Sequence, residues 1–213
     1  MQAAEYDAWY QTPRGRWIGE TESGLLRRML GPRCGESLLD VGCGTGYFSR
    51  QFARVDKLAV TGLDPNRDWL AFAERHAAAT ENYVGGSARA LPFADDSFDL
   101  VVSIAALCFV ADQRRALTEM LRVARRRVAL GLLNRHSLLY RQKGRGGGQG
   151  AYRGAHWHTP AEVRELFAGL PVRNPRMGFA IFAPGGERIA RHLESILCLA
   201  VCRSVRFSLW RWM

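Results

Sequence analysis

Apolar positions divide the first two thirds of the chain into alternating strand and helix patterns. Continuous apolar runs at 38–41, 58–64 and 100–105 are typical of parallel strands that are covered on both faces. Between the first two runs, apolar residues such as Phe48 and Phe52 recur at helical spacing. This alternation of strand and helix predicts an α/β fold with a doubly wound, mostly parallel sheet.

The same pattern continues through the middle of the chain. It predicts a short strand near Tyr83, a helix over 113–123 and a fifth strand over 128–134. We expect the arginines at 125–127 to close the helix that precedes the fifth strand, since cations favour a helix carboxyl end. Farther on, Thr159 is followed by Pro160 and Glu162, a pattern that predicts an N-capped helix.

The length of 213 residues suits one domain over 1–213, with no internal repeat and no linker between domains. Within it, 1–30 is predicted to be an N-terminal helical cover, since aromatic residues and arginines alternate there before a helical pattern. The glycine-rich segment 140–158 is predicted to be a mobile loop on the substrate side. A C-terminal helix and a closing strand are predicted over 186–213, with a membrane-facing tail as the alternative for the last residues.

The formal charge of +10 comes almost wholly from arginine, and the only lysines are Lys57 and Lys143. A basic surface favours an anionic substrate, a nucleic acid or a membrane face without selecting one of them. The five cysteines form an odd set with no C-x-x-C pair, which favours free thiols in a reducing compartment and no metal site. No signal peptide precedes the first acidic residues, and the apolar run 196–202 is too short to span a bilayer. We therefore expect a soluble cytoplasmic protein without stable membrane insertion.

The strongest chemical pattern is the turn that follows the first strand. The strand ends in Asp40, and Gly42, Gly44 and Gly46 alternate before a helix begins. Such a turn lets backbone approach a ligand, and the helix start offers free N–H groups. A dinucleotide fingerprint would place its third glycine at position 47, which is tyrosine here, so plain NAD binding is disfavoured.

A second acidic residue follows the next strand. Asp64 ends the apolar run at 58–64, 24 positions after Asp40, and Pro65-Asn66 turns the chain. A carboxylate at the carboxyl end of a second strand can accept both hydroxyl protons of a ribose. The alternative is a solvated loop aspartate.

These motifs resemble those of the class I S-adenosylmethionine (SAM) dependent methyltransferases, in particular the UbiE/COQ5-like group, also called methyltransferase type 11. The resemblance covers most of residues 5–183 and is carried by four segments: LLDVGCGTGYFSRQFA, VTGLDPN, GSARALPFADDSFDLVVSIAAL and YRGAHWHTPAEVRELFAGLPV. It implies a Rossmann-like, doubly wound, mostly parallel sheet of seven strands. It also implies SAM as the cofactor and S-adenosylhomocysteine as its product.

The resemblance further implies roles for individual residues. Asp40 would orient the glycine turn and the methionine amine, while Asp64 would bind the ribose hydroxyls. Serine stands at position 87, where many relatives have an aspartate that binds the adenine amino group. The implied cofactor-binding set is Asp40, Gly42, Cys43, Gly44, Gly46, Asp64, Pro65, Asn66, Ser87, Ala88, Ser103 and Leu107.

Residues outside the cofactor half supply candidates for catalysis and closure. A hydroxyl or acidic carbon acceptor needs a base, for which His136 is the first candidate and His156 and His158 are the others. Tyr6, Tyr10 and Arg14 are predicted to close the site, because aromatic faces suit a sulfonium and arginine suits a carboxylate.

The leading hypothesis is methyl transfer to an O, N or C nucleophile of a small molecule. An RNA methyltransferase is the alternative, favoured by the charge, although no Asn-Pro-Pro-Tyr-like motif follows the fourth strand. A non-catalytic binding protein with the same fold is disfavoured by the intact acids and glycines.

Overall fold

Within residues 2–78 and 80–181, which the computed structural model describes, five parallel strands form one sheet in the order β3-β2-β1-β4-β5. The strands are β1 (Ser37–Val41), β2 (Ala59–Asp64), β3 (Glu81–Gly85), β4 (Phe98–Ile104) and β5 (Ala124–Gly131). The order reverses beside β1, because the chain runs outward to β3 and then returns to β4. In open α/β sheets, ligands bind in the crevice at the carboxyl ends of such strands.

In the described part of the chain, six α-helices connect and flank the strands. They are α1 (Ala3–Trp9), α2 (Pro13–Leu30), α3 (Tyr47–Asp56), α4 (Arg67–Arg75), α5 (Gln113–Val123) and α6 (Pro160–Phe167). Two buried clusters cover the two faces of the sheet, one with side chains of α2 and α3 and the other with those of α5. Leu38 belongs to the first cluster and Leu39 to the second, as alternation along a strand requires. The doubly wound arrangement is therefore confirmed.

The helix ends follow local chemistry. Thr12 accepts a hydrogen bond from the Gly15 N–H (3.0 Å) at the start of α2, and Gly31 ends that helix in left-handed backbone. Thr159 and Glu162 form the predicted reciprocal capping pair at the start of α6.

The prediction that Arg125–Arg127 close α5 is wrong, because these residues lie in β5. Their side chains instead serve other elements. Arg125 pairs with Asp99 of β4 (2.9 Å), and Arg127 donates to the Leu30 carbonyl at the carboxyl end of α2 (2.6 Å). A cation does stabilise a helix end here, but the helix is distant in sequence.

Two expectations about the second half of the chain stay predictions. The closing helix and strand over 186–213 lie outside the described residues. The prediction of seven strands depends on those residues, so it also stays a prediction. The segment 140–158 forms short helical turns packed around the buried Trp157. That this segment is mobile stays a prediction. No helix of the described ranges is long and apolar enough to cross a membrane.

Candidate active site

The turn after β1 holds its three glycines in left-handed backbone, with φ of 78° at Gly42, 57° at Gly44 and 76° at Gly46. Neighbouring side chains leave no room for a Cβ at these positions. A Cβ at Gly42 would collide with Ala106, and one at Gly44 would lie 3.1 Å from the Trp69 ring. Glycine is therefore required here by both backbone conformation and packing.

Asp40 lies beneath the turn with 2% of its surface exposed. Its carboxylate accepts a hydrogen bond from the Ser49 hydroxyl of α3 (2.7 Å). Burial raises the pKa of Asp40 to about 7, the Ser49 hydrogen bond opposes that shift, and the charge of Asp64 adds to it. A cationic ligand group beside Asp40 would favour its ionised form.

Asp64 connects the end of β2 to the glycine turn. One carboxylate oxygen accepts the Gly44 N–H (2.9 Å) and the other accepts the Asn66 N–H (2.8 Å). Burial raises the pKa of Asp64, and these two N–H groups oppose the shift. Each oxygen keeps a second lone pair, so the carboxylate can still accept a pair of hydroxyl protons.

The residues predicted at the adenine edge lie on the loops that follow β2 and β3. Asn66 caps α4, because its side chain accepts the N–H groups of Asp68 (3.1 Å) and Trp69 (3.2 Å). Ser87 is exposed, and its hydroxyl accepts the Arg89 N–H (3.3 Å). The two loops meet where the Gly86 N–H donates to the Asp64 backbone carbonyl (3.2 Å). Pro65 immediately follows Asp64 on the first loop, and Ala88, on the second, packs against a buried cluster.

Ser103 and Leu107, predicted at the methyl-donor end, are both buried at the end of β4 and just beyond it. The Ser103 hydroxyl finds no hydrogen-bond partner within the described parts of the chain. Ala105 follows with a positive φ of 50°, which brings Ala106 against Gly42. Cys43 is also buried, and burial raises the pKa of its thiol far above the ordinary range, so it is a neutral packing group.

Helix α1 packs against the glycine turn and α4. The Asp7 carboxylate pairs with Arg50 (2.6 Å) and accepts the Thr45 hydroxyl (3.0 Å). The Tyr6 ring lies 5.0 Å from the Trp69 ring, centroid to centroid.

The other two N-terminal candidates are placed differently. Tyr10 is buried and stacks on Tyr47 with ring centroids 3.8 Å apart. Arg14 is exposed on α2. The structure therefore brings Tyr6 and Tyr10 to the turn and leaves Arg14 at the surface.

The three histidines occupy different environments. His136, the first candidate base, is exposed, and its backbone N–H donates to the Asn134 side chain (2.9 Å). His156 is also exposed. His158 is 3% exposed, and its Nε2 lies 2.7 Å from the side-chain oxygen of Gln113.

That contact defines the chemistry of His158. An Nε2–H donor to Gln113 leaves Nδ1 as the acceptor, and Nδ1 has no partner among the residues that the structure describes. Burial, together with a smaller effect of the neighbouring His156, lowers the pKa of His158 to about 4, so the ring is neutral at pH 7.

A cavity of about 380 Å³ opens beside the carboxyl ends of β4 and β5. Its volume is in the range of small-molecule sites. Its walls come from α2, the two strand ends, α6 and the extended segment 172–181, and most of its lining is apolar. Ala105 lies in its wall, and so does His158, which is the only one of the three candidate bases to line it.

Sequence analysis missed several residues that the structure places at this site. Trp69 packs against Gly44, Asp7 anchors α1, Gln113 orients His158, and Glu22 lines the cavity. None lies within a recognisable motif, because each reaches the site through packing between elements distant in the chain.

A glycine turn at the strand reversal, with a buried acid beneath it and a second acid bonded to it, defines a nucleotide-type cofactor site of an α/β enzyme. Residues 39–130 match the family model for a methyltransferase domain. That part of the chain is therefore similar to methyltransferase domains, and it contains the glycine turn and the strands β2 to β4.

Individual relatives support this classification. An uncharacterized protein of Mycobacterium tuberculosis (strain ATCC 25618 / H37Rv) is 37% identical over 172 residues, which are 78% of this chain and 56% of that protein. A malonyl-[acyl-carrier protein] O-methyltransferase of Pectobacterium atrosepticum is 37% identical over 109 residues, 51% of this chain and 42% of that enzyme. The chain thus spans about half the length of these curated relatives.

The fold also matches a solved structure. A SAM-dependent methyltransferase of Thermotoga maritima, described as a possible histamine N-methyltransferase, has a TM-score of 0.69 at 21% identity. The match covers 87% of this chain and 85% of that one. That neighbour is described as SAM-dependent, so SAM is the cofactor with which the residues of this turn are compared.

The residues present fit that cofactor. The three glycines of the turn hold left-handed backbone without a Cβ, so no side chain of the turn glycines stands between their backbone and a ligand. The buried carboxylate of Asp40 suits an ammonium group, and the carboxylate of Asp64 at the end of β2 suits a pair of hydroxyls. The buried hydroxyl of Ser103 still lacks a partner among the described residues, as expected of a polar group that awaits a ligand.

Proposed function

We propose that this chain is a SAM-dependent methyltransferase that transfers the sulfonium methyl group to an O, N or C nucleophile of a small molecule. The observation that carries the proposal is the pair of hydrogen bonds that join Asp64 to Gly44 and Asn66, with Asp40 buried under the same turn. The cavity beside β4 and β5, with a volume of about 380 Å³ in the range of small-molecule sites, supports a small acceptor.

In this proposal the cofactor lies across the carboxyl ends of β1, β2 and β4. Asp40 binds the methionine amine, and Asp64 binds the ribose hydroxyls. The backbone of the turn glycines lies close to the methionine and ribose parts of the cofactor, and Cys43 lies in the same turn. The adenine lies beside Pro65, Asn66, Ser87 and Ala88, and the methyl-donor end lies near Ser103 and Leu107.

Helix α1 is the cover of this site. Tyr6 contacts Trp69 and Asp7 contacts Arg50, so α1 lies on residues that flank the glycine turn. A cover excludes water from the sulfonium, which protects it from hydrolysis and strengthens electrostatic interactions inside. The segment 140–158 closes the acceptor side, and the sheet is completed to seven strands by the C-terminal residues. The group membership we propose is UbiE/COQ5-like, and the compartment is the cytoplasm.

Bound SAM supplies an electrophilic methyl carbon on a sulfonium. The protein holds the acceptor in line with that carbon, keeps water out and removes a proton where the acceptor needs it. For a hydroxyl or acidic carbon acceptor, His158 is the histidine we assign to this last role, because it lines the cavity and its Nδ1 has no partner among the described residues. His136 and His156 are exposed and serve as polar contacts at the rim.

The first test is binding of S-adenosylhomocysteine, measured by isothermal titration calorimetry against NADH. We expect S-adenosylhomocysteine alone to bind. Asp64→Ala should remove most of the affinity, because two hydroxyl bonds to a carboxylate contribute about 1.5–3 kcal/mol each. Binding of NADH instead, or an unchanged affinity of Asp64→Ala, would contradict the assignment.

The second test identifies the class of acceptor. Tritiated methyl from SAM is supplied with a metabolite extract in one reaction and with total RNA in another. We expect label in the metabolite fraction. Label in RNA, together with RNA binding that weakens steeply with salt, would favour the RNA methyltransferase instead.

A further inference from the structure

Glu22 brings an acidic group to the wall of a mostly apolar cavity. It lies on α2, where Leu25, Leu26 and Met29 line the cavity from the same face of the helix. Its carboxylate is half-buried and makes no hydrogen bond or ion pair with the residues of 2–78 and 80–181. An unpaired carboxylate in apolar surroundings is costly, so such a group is usually paired when its site is filled.

The cavity adjoins the methyl-donor end of the proposed cofactor site. Ala105 lines the cavity, and its neighbour Ala106 packs against Gly42 of the glycine turn. The wall that contains Glu22 therefore also contains Ala105, the neighbour of the residue that packs on the glycine turn, and we take this end of the cavity as the side that faces the sulfonium. An acceptor that approaches the methyl carbon through this cavity contacts Glu22.

The carboxylate also lies within electrostatic range of several phenols. Burial raises the pKa values of Tyr6, Tyr10, Tyr47 and Tyr152, and the charge of Glu22 raises them further. A carboxylate in a cavity wall suits a cation, because it supplies the opposite charge.

The other charged groups of the lining lie at its rim. Arg164 of α6 and Arg176 of the extended segment are exposed, so they do not neutralise the buried part of the cavity. His158 is neutral at pH 7, since burial lowers its pKa to about 4. Among the described residues of this lining Glu22 is thus the acidic group, and a carboxylate ligand beside it would meet like charge.

We propose that Glu22 binds the nucleophilic group of the methyl acceptor, and that this group is an amine carried on an apolar body. The inference rests on the proposed methyltransferase function and names its substrate class. The apolar body lies against Leu25, Leu26 and Met29, while the amine lies at the carboxylate.

In this arrangement a proton is transferred before the methyl group. The acceptor enters as an ammonium, and one of its protons moves to the Glu22 carboxylate, which frees the nitrogen lone pair. That lone pair forms the new N–CH₃ bond while the methyl–sulfur bond breaks and its electrons go to sulfur. The methylated product carries the positive charge that the sulfonium loses, and the proton leaves Glu22 for solvent.

The test compares three probes with the same phenylethyl body in protein saturated with S-adenosylhomocysteine at pH 8. The probes are 2-phenylethylamine, 2-phenylethanol and phenylacetate, and binding is measured by ligand-observed NMR and calorimetry. We expect the amine to bind at least tenfold more tightly than the other two. Glu22→Gln should weaken the amine at least tenfold and leave S-adenosylhomocysteine binding unchanged. The matched control is Glu20→Gln, an exposed position on the same helix, which should change none of the affinities.

The outcomes separate the inference from its premise. If wild-type protein fails to bind S-adenosylhomocysteine, the methyltransferase function itself is wrong. If it binds, but the amine is no tighter than the alcohol or the acid, or no probe binds, the assignment of Glu22 is overturned while the function stands. A folded Glu22→Gln that loses cofactor affinity would place the carboxylate at the cofactor and also refute the proposal. The selectivity of wild-type protein decides the question even if the variant does not fold.

Discussion

Removal of the Ser49 hydroxyl should shift the pH dependence of cofactor binding. That hydroxyl donates to the buried Asp40 carboxylate (2.7 Å) and opposes the effect of burial on its pKa, which stands at about 7. A hydrogen bond to a charged group contributes about 1.5–3 kcal/mol, and one pKa unit corresponds to about 1.4 kcal/mol. Ser49→Ala should therefore raise the pKa of Asp40 by roughly one to two further units.

Cofactor affinity should follow the ionised fraction of Asp40 if this carboxylate binds the methionine ammonium. In the wild type, affinity for S-adenosylhomocysteine should rise about tenfold from pH 6 to pH 8, because the ionised fraction rises from about a tenth to about nine tenths. In Ser49→Ala the whole curve should move toward alkaline pH by about one to two units. At pH 8 the variant should bind about two- to tenfold more weakly than the wild type.

The assay is isothermal titration calorimetry between pH 5.5 and 8, supported by the ¹³C chemical shift of the Asp40 carboxyl. Ser23→Ala is the matched control, since Ser23 is also buried on a helix but its hydroxyl makes no hydrogen bond with the described residues. The control should keep the wild-type curve. A curve for Ser49→Ala that coincides with the wild type, in protein that is folded by circular dichroism, would refute the role of Asp40.

The same pKa has a consequence for the stability of ligand-free protein. Folding raises the pKa of Asp40 from its ordinary value of about 4 to about 7. The contribution of this carboxyl group to the free energy of unfolding is therefore complete below about pH 4 and is lost as the pH rises through about 7. Bound cofactor should reverse part of this loss, because an ammonium partner favours the ionised carboxylate.

Two further predictions concern the turn and its cover. Gly44→Ala should destabilise the protein by about 1–3 kcal/mol in urea unfolding, since it places a Cβ at φ 57° and 3.1 Å from Trp69. Gly24→Ala should be neutral or stabilising, because a Cβ at this position of α2 would have only an ordinary 3.7 Å contact with the Arg28 guanidinium. Equal effects of the two changes would contradict the packing argument. Asp7→Asn should release α1 by removing the Arg50 ion pair, seen as faster hydrogen exchange over 3–9 with α2 unchanged, and unaltered exchange would show that aromatic contacts alone hold α1.

The elements with local determinants were predictable from sequence. The strand that ends in Asp40, the glycine turn and the helix that begins at Tyr47 all depend on residues within a window of about a dozen positions. The cap at Thr159 is likewise set by residues three apart, and it was predicted residue by residue. Hydrophobic period and turn chemistry act over such windows, so the sequence alone carries them.

Contacts between distant segments could not be predicted from such short windows of sequence. The arginines at 125–127 looked like the end of α5, yet pairing with β4 draws them into β5, where Arg127 caps a helix 97 positions earlier in the chain. His136 follows its strand as predicted but faces solvent, while His158 reaches the cavity because its backbone pairs with Asn134. No residue near either histidine in the chain distinguishes the two.

The sequence by itself determined the α/β alternation, the glycine turn and the two acids that point to a SAM-type cofactor. The tertiary structure alone decided which groups line the cavity beside β4 and β5, including Glu22 and His158. The physical reason is that backbone conformation responds to neighbours along the chain, whereas a pocket wall is assembled by packing of helices and strand ends that the chain brings together only on folding.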